Sequence, residues 1–302
     1  MKEDVRLIDL NDWVRSGEGA DAVSYYHKTD DSVVLRIDVR NNDYETARKE
    51  FLRSLAVAGL GVPTPMPREV VTDGIYYGTI FQRMSGKQSF SRMISEHPEK
   101  LRELAAVMAS MAKELHSISC DTGEFVNVGK SYIDTINSCE HIPERLKVLL
   151  NTYASHLDNA CTTCIHGDLQ PGNVIRTGGR NLWIDIGKFG YGDPDLDFSS
   201  LYVLSHFTPK GIVKDLMHLS ASQMREFTDC YGREYYGDRY DTAELQEKIR
   251  QIGLLHLGAS FAVSDMPKAF RFFYIDAFYG NRLRSKFKMM LMDLFVRKRR
   301  KC

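Results

Sequence analysis

The chain has 302 residues, of which 43% are hydrophobic and 26% charged, so it carries enough apolar material for a well-buried globular core. Forty basic and forty acidic residues cancel, which removes any overall electrostatic reason to expect nucleic acid or an acidic membrane as the main partner. No apolar run approaches membrane-spanning length and no apolar stretch follows the charged start Met1–Arg6, so the expectation is a cytoplasmic protein. Six scattered cysteines, with Cys161 and Cys164 the only close pair, fit reduced thiols better than a disulfide framework.

In chain order, Val23–Tyr26 and Val33–Ile37 read as an antiparallel hairpin around the polar turn Thr29–Ser32. A helix follows from Tyr44 to Ala58, with Ala47, Phe51, Leu52, Leu55 and Ala58 at helical spacing and Gly59, Gly61, Pro63 and Pro65 as stop signals. Val70–Thr72 and Ile75–Phe81 flank Asp73-Gly74, a pair that tolerates positive φ and favours a tight hairpin turn. After Gly86 the character turns helical: Leu101, Leu104, Ala105, Met108, Met111, Ala112 and Leu115 form one stripe within Glu99–Ser117. Strand signal returns at Ile165–Val174 and Leu182–Ile186, and everything beyond Phe198 reads as helix. The order predicts an α+β chain with a small β-rich lobe carrying one main helix, residues 1–84, and a larger, mostly helical lobe, residues 85–302. A cleft between two such lobes is a preferred ligand site.

The chemistry concentrates in His166-Gly167-Asp168-Leu169-Gln170-Pro171-Gly172-Asn173, followed twelve residues later by Asp185. Phosphoryl transfer needs a carboxylate to receive the attacking hydroxyl's proton and oxygen ligands to hold Mg²⁺ against the nucleotide. Asp168 supplies the base, and Asn173 and Asp185 supply the metal ligands. A purely structural turn would account for Asp-Leu-Gln-Pro-Gly, but not for Asp, Asn and Asp at this spacing.

These residues, with Gly192-Asp193-Pro194-x-x-Asp197, Gly61–Pro65, Met84-Ser85-Gly86 and Leu115-His116 in the same order, resemble the aminoglycoside phosphotransferase and choline kinase-related family, across roughly residues 17 to 200. The resemblance implies a protein-kinase-like bilobal fold and an ATP-dependent enzyme that phosphorylates a small-molecule hydroxyl, with Mg²⁺ as cofactor. It further implies nucleotide-binding roles for Gly17, Gly19, Arg36, Glu50, Gln82 and Met84, and bracing roles for Asp193 and Asp197 around the catalytic loop. Arg36 is a departure, because it stands where these enzymes usually carry a lysine, which leaves GTP open beside ATP. A nucleotide-binding regulatory module without turnover is the alternative.

His116, His156, His206, His218 and His256 stand apart from companion ligands and read as structural or surface histidines. The aromatic run of Tyr235-Tyr236, Phe270, Phe272–Tyr274 and Phe278-Tyr279 reads as core with a share in an acceptor pocket, and the basic tail Arg297–Lys301 as a solvated end. From Gly190 onward basic residues are at least as frequent as acidic ones, which argues against a polycationic acceptor.

Overall fold

A computed structural model describes residues 5–18, 22–38 and 43–263. Gly19, the aromatics from Phe270 to Tyr279 and the basic tail lie outside the described residues. The described chain forms two compact units, one from Met1–Gln88 with Val174–Gly187 and the other from Ser89–Asn173 with Lys188–Cys302. The division falls at Gln88 rather than residue 84, and the stretch carrying Asp185 groups with the N-terminal unit.

The first unit is built on a six-stranded sheet. Its strands are β1 (Arg6–Leu7), β2 (Trp13–Glu18), β3 (Ala22–His27), β4 (Val33–Asp38), β5 (Pro67–Thr72) and β6 (Tyr77–Gln82), in the order β1-β5-β6-β4-β3-β2. All neighbours are antiparallel except β1 and β5. Strand β4 alternates buried and half-buried residues, sending Val33, Leu35 and Ile37 into a core with Trp13, Val71 and Ile80. Arg36 therefore points to the opposite face. The turn at Asp73-Gly74 is longer than the two-residue turn expected: Thr72 pairs with Tyr77, and the Asp73 carboxylate accepts the N–H groups of Ile75 and Tyr76.

Helix α1 (Tyr44–Gly59) starts where the Asp43 carboxylate accepts the Thr46 N–H at 2.8 Å and ends where Gly61 takes φ 82°. Its buried face differs from the expected stripe. Ala47, Ser54 and Val57 are buried while Leu52 and Leu55 are exposed, so the inner face runs 47-50-54-57 and includes Glu50.

A short strand β7 (Gln88–Ser89) leads into the second unit, whose helices are α2 (Phe90–Glu96), α3 (Leu101–His116), α4 (Val128–Ser138), α5 (Glu144–Ala154), α6 (Asp195–His206), α7 (Lys210–Met217), α8 (Ala221–Tyr236) and α9 (Ala243–Val263). Every residue of the stripe expected on α3 is buried. Helices α4, α5, α6 and α9 share a core around Ile136, Leu150, Leu196 and Leu255, each large side chain contributing about 1.5–3 kcal/mol by leaving water. A two-stranded ladder of β8 (Cys164–Ile165) and β11 (Gly190–Tyr191) holds the entry to the His166–Asn173 loop. Strands β9 (Val174–Thr177) and β10 (Arg180–Trp183) form a hairpin in the first unit, turned by Gly178 and Gly179, both at positive φ. The strand expected through Ile186 ends at Trp183. Asp185 takes φ 58° and a turn follows at Ile186–Lys188.

Candidate active site

In the first unit, β4 and α1 bring Arg36 and Glu50 together, with Nη1 3.0 Å from Oε1, and Nη2 of the same guanidinium lies 3.7 Å from Asp185 Oδ1. The fork of an arginine makes this double contact possible. Burial raises the Glu50 pKa, and the nearby carboxylates of Asp38 and Asp185 add to the rise, while Arg36 and the Thr79 hydroxyl oppose it. Asp185 keeps a half-exposed side chain and sits in the left-handed region that a non-glycine residue occupies only at a cost of about 1–3 kcal/mol. Arg53, one turn beyond Glu50 on α1, donates to the Gly187 carbonyl at 2.6 Å and so holds the chain just past Asp185. Nothing in the local pattern singles out Arg53.

Met84 is buried against Ile175, Leu182 and Ile184, so its side chain belongs to the core of the first unit, and only its backbone is left for a nucleotide. Gln82 ends β6 with an exposed side chain. Gly17 lies in β2 opposite Ser24, just after a register shift between Arg15 and Gly17, so it is part of a bulged strand rather than of a free loop.

In the second unit, the His166–Asn173 loop is pinned from below. Asp197, fully buried on α6, accepts the backbone N–H groups of His166 at 2.8 Å and Gly167 at 2.7 Å. His116 at the end of α3 donates from Nε2 to the same carboxylate at 3.0 Å, and its Nδ1 lies 2.5 Å from the Tyr235 hydroxyl on α8. Burial raises the Asp197 pKa, but the bonds from His116 and the His166 N–H together with the histidine charges outweigh it, and the carboxyl is held below its ordinary value. Gly167 has φ 77°, and a Cβ there would stand 2.1 Å from the Lys188 carbonyl oxygen. Only glycine fits.

Asp168 follows, with its side chain about a quarter exposed and Oδ2 3.9 Å from Lys188 Nζ. The Asn173 amide nitrogen donates to the Asp168 carbonyl at 2.9 Å and reaches Oδ2 at 3.4 Å. The expected bracing role divides. Asp197 holds the loop, whereas Asp193 does not touch it and instead accepts the Asp158 and Asp195 N–H groups and pairs with Lys248. Of the isolated histidines, His116 is tied into the hydrogen bonds that hold this loop.

Asn173 and Asp185 offer oxygen donors of the kind that Mg²⁺ takes. Asn173 directs its amide nitrogen to Asp168, so its oxygen is the atom left for a cation. Among the described residues no group of three or more His, Cys, Asp or Glu forms a ready-made metal cage.

The profile of the phosphotransferase enzyme family matches residues 12–230, nearly three quarters of the chain, and the protein belongs to that family. It is a phosphotransferase with the kinase-like fold of the aminoglycoside phosphotransferases. Solved structures with the same fold include aminoglycoside phosphotransferase APH(2'')-Ib with bound ADP, 18% identical over 88% of this chain and 90% of that one, with a TM-score of 0.53. A choline/ethanolamine kinase family protein from Mesorhizobium loti is 16% identical over 93% of this chain and 91% of that one, with a TM-score of 0.53. A thermostable mutant of APH(4)-Ia in ternary complex with ADP and hygromycin B is 13% identical over 95% and 93%, with a TM-score of 0.57. No curated protein sequence matches the chain. Among the described residues no helix is long and apolar enough to cross a membrane.

Proposed function

We propose that the protein transfers the γ-phosphoryl group of Mg-ATP to a hydroxyl of a small molecule in the cytoplasm, with Asp168 as the base. The observation that carries this reading is the state of the Asp168 carboxylate. Its Oδ2 is occupied by Asn173 and faces Lys188, its Oδ1 has no hydrogen bond among the described residues, and Asp197 fixes the backbone beneath it.

The acceptor hydroxyl oxygen forms a bond to the γ-phosphorus while the bond from that phosphorus to the β–γ bridging oxygen breaks. ADP leaves with the electron pair, and the hydroxyl proton passes to Asp168. Arg36 directs its charge at the phosphate oxygens, with Glu50 holding the guanidinium. When bound, Mg²⁺ neutralises phosphate charge, and the Asn173 oxygen and the Asp185 carboxylate are the groups that would hold it. The fork of Arg36 grips phosphate without reading the base, which keeps GTP in play as a donor.

Replacing Asp168 by Asn keeps shape but removes charge and basicity, a change worth about 10²–10⁴ in rate for a general base. Asp168→Asn should lose transfer by that factor while binding Mg-ATP within a few-fold of wild type. Transfer at the wild-type rate would sink the mechanism. The Arg36–Asp185 contact favours one other reading, a nucleotide-binding module in which the guanidinium keeps the carboxylate from the metal; Mg-ATP binding with no transfer by either protein would establish it.

A further inference from the structure

The base is not alone on its unit. Lys188 places its ammonium 3.9 Å from Asp168 Oδ2, and the lysine side chain is 62% exposed against 24% for the aspartate. At that separation the two charges attract without a hydrogen bond, so the three N–H donors of the lysine stay available. The position is set by the backbone, since the Lys188 carbonyl abuts Gly167 closely enough to forbid any side chain there. Lys188 is thus built into the floor of the catalytic loop.

Three carboxylates of this unit are already committed. Asp197 is buried under the loop with His116, and Asp193 and Asp195 share Lys248, with Asp195 also accepting the Tyr236 hydroxyl. Two neighbouring groups, Tyr132 and His256, are uncharged. The Tyr132 phenol is kept protonated by burial and by the charges of Asp168 and Asp197, and its ring packs 5.2 Å from His256. Burial, then the positive charge of Lys188, push the His256 pKa down to about 3. His256 Nδ1 lies 2.7 Å from the Ser199 hydroxyl, which donates to the Leu196 carbonyl at 2.5 Å, and 3.5 Å from the Tyr132 hydroxyl. Nε2 of His256, in a residue only 7% exposed, has no hydrogen bond among the described residues and can pair with a second hydroxyl.

We propose that the acceptor is a hydroxyl compound without ammonium groups that carries an oxyanion, and that Lys188 binds this oxyanion beside the hydroxyl oriented by Asp168. This rests on the reading of Asp168 as the base. It separates the protein from kinases of choline or aminoglycosides, whose substrates are cations and would meet Lys188 as a like charge.

The test is calorimetric titration of the full-length protein, loaded with Mg²⁺ and a β,γ-imido ATP analogue so that the γ-phosphate position is filled. The probes are glycolate, glycerol 3-phosphate, glycerol, ethanolamine and an aminoglycoside. An oxyanion probe should bind more tightly than glycerol, and glycerol more tightly than ethanolamine. Glycolate and glycerol 3-phosphate separate a carboxylate from a phosphate. Lys188→Met should cost the oxyanion on the order of tenfold in affinity, and Lys188→Glu should reverse the order toward ethanolamine, with nucleotide affinity held. The proposal is overturned if no oxyanion probe binds more tightly than its ammonium counterpart, or if Lys188→Met weakens the nucleotide instead, which would make Lys188 a γ-phosphate ligand. Failure here leaves the phosphotransferase reading standing, because that reading falls only if Asp168→Asn transfers phosphate normally.

Discussion

The two clusters of candidate residues, one in each unit, are held by different physics. In the first unit, Arg36, Glu50 and Asp185 are partly exposed ions linked at 3.0 and 3.7 Å, an arrangement that water and salt can loosen and that a triphosphate can take over. In the second, Asp197, His116 and Tyr235 form a buried relay that ends on the backbone of the catalytic loop. In the mechanism proposed above, a phosphate grip has to exchange partners at every turnover, whereas a loop that aims a base has to stay still, and the two kinds of bond suit those two tasks.

The largest expected effect lies on the exchanging side. Asp185→Ala removes the half-exposed carboxylate offered to the metal and should lower Mg²⁺-dependent transfer on the order of a thousandfold. It should not relieve the cost of the left-handed backbone at φ 58°, since alanine is less suited there than aspartate. Circular dichroism should show the wild-type fold. Wild-type turnover in this variant would mean that the metal is held elsewhere, and the comparison of the halves would lose its first term.

Arg36→Ala comes next. Charged hydrogen bonds are worth about 1.5–3 kcal/mol each, so Mg-ATP affinity should fall by about ten- to a hundredfold, while Arg36→Lys keeps the charge and most of the binding. Because the guanidinium is one-third exposed, the wild-type affinity should weaken as salt rises, and the alanine variant should lose most of that salt dependence. Equal ATP affinity for wild type and Arg36→Ala would remove Arg36 from the phosphate site.

The sequence made some of these features visible and hid others for identifiable reasons. The stripe on α3 and the Asp168, Asn173 and Asp185 spacing were legible because each is encoded by near neighbours along the chain. The orientation of α1 was not. Its leucines at 52 and 55 suggest one face, yet the helix buries Ala47, Ser54 and Val57 and half-buries Glu50 on the same side, where Arg36 from β4 pairs with the carboxylate. The glycine pair at 178 and 179 marks the turn between β9 and β10. Arg53 reaching Gly187 across 134 positions and His116 meeting Tyr235 across 119 leave no local pattern at all. The left-handed Asp185 looked like the continuation of a strand, since Trp183-Ile184-Asp185-Ile186 alternates as a strand would.

Tyr235→Phe gives the smallest effect and the sharpest test of the buried relay. The hydroxyl touches neither the base nor the loop, and acts only through the His116 ring on Asp197. Burial, followed by the charges of Asp195 and Asp197, raises the phenol pKa, so the phenol stays protonated and donates to Nδ1 while the His116 ring is neutral. Donation to Nδ1 keeps the remaining proton on Nε2, where the Asp197 carboxylate needs it. Phenylalanine keeps the ring that lies edge-on to His116 at 5.4 Å, so the loss is one hydrogen bond, about 1 kcal/mol of stability. High salt should not change that loss, in contrast to the Arg36 effect, because the histidine and aspartate side chains are 5% and 0% exposed. Denaturant melts at low and high salt measure it. A salt-dependent loss, or a fall in Mg-ATP affinity with stability unchanged, would show that the relay behaves like the exchanging ions of the first unit.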